Sequence, residues 1–182
     1  MDVRTALDLL GARTPTIVLA SGGTDAAALL ARAQSPSLVV VGPFGASTPI
    51  PELRGAAALA RSGTELVIRG SVSGLGGDSV RDSARRAVAQ GLDPAAARRA
   101  LTTNPARAAG LPRTVGTIIA GARADLVLFD GDPLLPASRV VTVLESGRVV
   151  DLTGGTDADP DAPATIPPLD RSTLEIHEEV PR

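Results

Sequence analysis

The chain has 182 residues and a formal net charge of −2, with 43% hydrophobic and 21% charged residues. That balance fits a globular protein with a sizeable core, and it gives no electrostatic case for nucleic acid or an anionic membrane. The absence of cysteine excludes disulfides and thiolate chemistry, and with two Phe and no Tyr or Trp the core has to come from Val, Leu, Ile and Ala.

The first apolar run, Thr16-Ile17-Val18-Leu19-Ala20, predicts a compact buried strand that ends at Ser21-Gly22-Gly23. Thr24 can then cap a helix through Asp25–Ala33. Ser37–Val41 predicts a second strand, stopped by Gly42-Pro43. An alanine-rich helix follows over Glu52–Arg61, closed by Gly63, and then a third strand over Glu65–Arg69. Continuous β-branched runs predict strands covered on both faces, and strand-helix alternation predicts βαβ units with a parallel sheet.

Ser79-Val80-Arg81-Asp82 approximates a capping box for a helix ending before Gly91. Asp93-Pro94 is an N-cap followed by proline in the first turn, opening a helix through Leu101. Asn104-Pro105 restarts a short helix that Gly110 ends. From Thr114 the period changes to two, so that Val115–Ile118, Ala124–Phe129 and Val140–Val150 read as strands with Gly-Asp and Ser-Gly turns. Thr153–Arg182, rich in Pro, Asp, Thr and Glu, reads as a disordered tail.

One segment carries a further signal. Asn-Pro-Ala-Arg (104–107), Gly-Leu (110–111), Val-Gly-Thr-Ile (115–118), Ala-Asp-Leu-Val-Leu-Phe-Asp (124–130), Gly-Asp-Pro-Leu (131–134) and Gly-Arg-Val-Val (147–150) follow one another in order. This succession resembles the C-terminal end of the metal-dependent amidohydrolase superfamily, in its imidazolonepropionase-like and prolidase-like branches. The resemblance is strong over residues 92–150 and diffuse over residues 16–91. It implies an α/β fold: part of a (β/α)8 barrel over residues 1–113, with late strands and helices, then C-terminal strands of a small composite β-sandwich over residues 114–152. A full barrel takes about 250 residues and eight strands, so only its later part fits in this chain.

In the family, zinc or another divalent metal activates water, held by a His-x-His pair, a carbamylated Lys or a Glu, two later His, and an Asp ending the last barrel strand. This chain has one histidine, and all its basic residues are Arg. By the resemblance, the aspartate position falls on Val72, or on Ser73 if the alignment slips; neither is a carboxylate. The expectation is therefore a truncated or degenerate C-terminal half with no metal site or cofactor of its own, inactive alone. The alternative is a non-catalytic subunit that completes or regulates a separate amidohydrolase chain. The expected partner is an amidohydrolase N-terminal half or a second copy, not nucleic acid or a membrane.

Other constellations weigh less. His177 has acidic neighbours, but a zinc site needs three or four ligands, and a solvated tail explains it better. The glycine-rich turns 21–24 and 73–78 match neither a dinucleotide fingerprint nor a Walker loop. Asp125, Asp130 and Asp132 read as turn formers rather than as a carboxylate cluster. A binder of small molecules would use Ser21, Phe44, Ser71 and Asp78, at the C-terminal ends of the proposed strands. The Ala- and Arg-rich composition suggests a GC-rich bacterial genome. No signal peptide is read at Met1, which makes the cytoplasm the default compartment.

Overall fold

The computed structural model describes residues 16–19, 26–27, 30, 38–70 and 79–150. It divides into two compact units, with the boundary at Ala122/Arg123 and with Leu134–Pro136 belonging to the first.

The first unit is built on a parallel sheet, β1 (Thr16–Val18), β2 (Leu38–Val41) and β3 (Glu65–Ile68), in spatial order β1-β2-β3. The register aligns Ile17, Val39 and Leu66 across the sheet, and likewise Val18, Val40 and Val67. Ala26, Ala27 and Leu30 are helical and buried; the other residues of the helix expected over Asp25–Ala33 lie outside the described residues. Helices α1 (Ile50–Arg61), α2 (Val80–Ala89), α3 (Pro94–Leu101) and α4 (Thr103–Ala108) complete the unit.

Local chemistry fixes these helices. Helix α1 starts two residues ahead of the expected Glu52, because Pro51 is tolerated in a first turn where its missing N–H has no intrahelical partner. The hydroxyl of Ser79 accepts from Asp82 N at 3.0 Å, and the carboxylate of Asp93 accepts from Ala96 N at 2.8 Å. Three helices end alike. The N–H groups of Gly63, Gly91 and Gly110, all at positive φ, donate to Ala60, Val88 and Arg107, while Thr64, Leu92 and Leu111 reach back to Leu59, Ala87 and Ala106. This paired arrangement satisfies carbonyls that a helix end leaves open.

The sheet buries one face. Val39, Val41, Leu66 and Ile68 pack with Leu53, Leu59 and the alanines of α1, α2 and α3, so small helix residues let the layers approach closely. On the opposite face Val40 and Val67 are only partly buried, and Val18 is 63% exposed. Two expectations are corrected here. Among the described residues the β-branched runs are well covered on one face alone, and the first run is not a buried strand, since Thr16 and Val18 are exposed and, of its described residues, only Ile17 and Leu19 meet the core. As the outer strand, β1 lacks a described neighbour on one edge as well as on that face.

The second unit holds an antiparallel meander, β4 (Leu126–Phe129), β5 (Val140–Glu145) and β6 (Arg148–Val150). Ser146 and Gly147, at φ 52 and 83, form the two-residue turn between β5 and β6. Positive φ at both positions gives the turn the twist that right-twisted strands need.

The strand expected at Val115–Ile118 is absent. Gly116 sits at φ 78, and a Cβ there would lie 2.5 Å from the Thr102 carbonyl oxygen and 2.8 Å from the Ala106 methyl. Thr114 and Val115 donate their N–H groups back to Leu111, making a turn, and Ile118 is 87% exposed. The two-residue period is present in the letters, but no strand among the described residues pairs with it.

Candidate functional site

Ligands of parallel α/β sheets gather at the C-terminal ends of the strands. At that end Arg69 follows β3, donating its backbone N–H to Val41 O at 3.0 Å and its Nε to Gly42 O at 2.5 Å. Phe44, after β2, donates its N–H to the hydroxyl of Ser83 on α2, across 3.1 Å. Ser83 is fully buried, so this bond ties the β2 exit loop to the helix layer where water cannot compete.

Of the residues singled out from the sequence, Phe44 is described, and its ring is buried in the core of the helix-covered face. Ser21, Ser71, Val72, Ser73, Asp78 and His177 lie outside the described residues.

Two aspartates of the second unit serve as clips. Asp125 accepts from Arg123 Nε at 2.6 Å and from Ser146 N at 2.9 Å, while Ala124 O accepts from Gly147 N. The Arg123 guanidinium, and then the Ser146 N–H, hold the Asp125 carboxyl below the usual carboxylate range. Asp130 accepts from Arg139 N at 2.7 Å and returns its own N–H to Arg139 O. Among the described residues no three His, Cys, Asp or Glu side chains gather to hold a metal ion.

A half-open cavity of about 150 Å³ lies at the other end of β3, between the α1–β3 loop, α3 and α4. Asn104, 5% exposed, reaches into it while its Nδ2 donates to Leu66 O at 2.7 Å. Arg99 and Glu65 line it too, with Glu65 Oε1 2.5 Å from the Arg107 guanidinium. In the sequence Asn104 signals only a helix start; its position before Pro105 carries no sign of a bond to a strand 38 residues earlier.

Comparison with known proteins gives the class. The profile of the amidohydrolase family matches residues 14–153, more than three quarters of the chain, and the chain belongs to that family. An amidohydrolase from Thermotoga maritima superposes with a TM-score of 0.62 at 26% identity, over 75% of this chain and 36% of the other. A prolidase bound to N-methylphosphonate-L-proline gives 0.55 at 25%, over 75% and 40%. An adenosine deaminase from Xanthomonas campestris with bound zinc gives 0.58 at 24%, over 80% and 38%, a likeness of fold. The chain therefore spans well under half the length of these proteins. No curated protein matches it. Among the described residues no helix is long and apolar enough to cross a membrane.

Proposed function

We propose that this chain is the C-terminal portion of an amidohydrolase fold and does not hydrolyse substrate by itself. In this reading residues 1–113 supply late strands and helices of a (β/α)8 barrel, and residues 114–152 supply strands of a composite β-sandwich. The observation that carries it is the one-sided cover of the parallel sheet. Val18, Val40 and Val67 stand in one register row, and the row is open enough to leave Val18 63% exposed. Side chains on that face of a closed barrel fill its interior. The neighbours' unmatched length, more than half of each, is enough for the strands that would enclose the row.

The residues present do not fit the family's divalent-metal centre. One histidine and no lysine in 182 residues cannot supply a His-x-His pair with two later histidines, and single carboxylates at turns are committed elsewhere. Hydrolysis of a C–N bond therefore needs those ligands to come from outside these 182 residues, from a complementary barrel half or from a complete amidohydrolase that this chain regulates.

The test is to purify the chain with zinc or manganese, quantify bound metal, and assay amides, imides and lactones. No stoichiometric metal and no turnover are expected, with turnover appearing only beside a polypeptide that carries His-x-His. Stoichiometric metal with turnover by the chain alone would falsify the proposal.

A further inference from the structure

We infer that the cavity at the N-terminal end of β3 binds a small zwitterion of the α-amino acid class. It lies at the strand end opposite to the one where α/β folds place their catalytic groups, so it is separate from any hydrolytic site.

Leu66 O can only accept, so the Asn104 atom bonded to it is the amide nitrogen, and the orientation of the side chain follows. The other atom, Oδ1, has no hydrogen-bond partner among the described residues, and the residue, 5% exposed, lines the open cavity. An acceptor on the wall of an open cavity takes its hydrogen bond from water, or from a ligand donor that displaces the water.

Two charges complete the set. Arg99 stands on the same cavity with no ion pair among the described residues, offering a planar fork of N–H donors suited to a carboxylate. Glu65 gives Oε1 to Arg107, leaving its second oxygen for a cation. A carboxylate at Arg99 and an ammonium shared by Asn104 Oδ1 and Glu65 would answer all three groups at once. A lone anion would leave Oδ1 unanswered, and a lone amine would leave Arg99 so.

Size narrows the class. The space of about 150 Å³ corresponds to about five waters, and the remaining walls are Ala60, Gly63, Thr64, Leu66 and Ala96, with no aromatic ring among them. Alanine or proline would fit such walls, whereas an aromatic amino acid would project into solvent.

The experiment is an amide-correlation NMR titration of the isotopically labelled chain with L-alanine and with L-proline. Acetate, methylammonium and sodium chloride serve as controls. Saturable shifts are expected at Thr64, Glu65, Ala96 and Arg99, with each single-charge control about tenfold weaker or more. Arg99→Ala, at an exposed position, should remove the response, as should Ala96→Leu, which fills the cavity and keeps the cation. Unsaturable shifts, a response to acetate equal to that to alanine, or insensitivity to both substitutions would overturn the inference.

Discussion

Asn104 Nδ2 donates to Leu66 O across 2.7 Å, and the two residues are 5% and 2% exposed. Arg69 N bonds to Val41 O, so alternate residues of β3 face β2 and Leu66 turns its peptide group the other way. Helix α4 thus serves a strand carbonyl that has no described strand to pair with. Replacing Asn104 by Leu should cost about 1–3 kcal/mol, the penalty for an unsatisfied buried acceptor, read from urea denaturation. An unchanged midpoint would show that water replaces the amide.

Gly116 offers the sharpest backbone test. Its Cβ position is already occupied by Thr102 O and the Ala106 methyl, and its φ is 78. Gly116→Ala should destabilise the first unit by about 2 kcal/mol or more, since strain and overlap add. Gly121, also at positive φ but with nothing within 4 Å, should show the smaller, conformational part alone.

Ser83→Ala leaves the Phe44 N–H without its acceptor inside the core. A loss of about 1–3 kcal/mol is expected in thermal or chemical melts. Leu59→Ala, in contrast, removes packing at a fully buried site and should cost about 2–5 kcal/mol.

The Asp125 carboxyl is held below its ordinary range in the folded chain, first by Arg123 and then by Ser146 N–H. Its contribution to stability is therefore complete above the unfolded pKa, near 4. It is lost as pH falls through the lower folded value. Amide exchange at Ser146 should accelerate on acidification, and Asp125→Asn should show that faster exchange already at neutral pH. Equal exchange in both proteins at pH 7 would remove Asp125 as the clip.

Val18→Asp examines the open face. At 63% exposure the change should alter the stability of the isolated chain by no more than about 0.5 kcal/mol. Co-purification with a complementary barrel polypeptide should be lost. A complex that tolerates the charge would mean that the row does not face its partner.

The elements that depend on neighbours in sequence were legible in it. Ser79 and Asp93 cap the helices they precede, Gly63, Gly91 and Gly110 end theirs, and Ser146-Gly147 turns the hairpin. Each reads as a local rule about a missing donor, a missing acceptor or a positive φ. Two features depend on distant partners and could not be read that way. Val115–Ile118 alternates like a strand but meets no strand partner among the described residues, and Val18 is as apolar as Val39 while only Val39 lies under described helices. The candidate site divides likewise: composition reveals the shortage of metal ligands, whereas the pairing of Asn104 with Leu66 exists only after the chain has folded.

The helix layer is seated on the sheet largely through methyl groups, at Ala56, Ala57, Ala84, Ala87, Ala97 and Ala100. Contacts of that size leave no slack for one side chain to grow without displacing a whole helix. Sequence drift in this protein should accordingly spare those positions and collect in the connecting segments, where new chemistry can be tried without moving the scaffold.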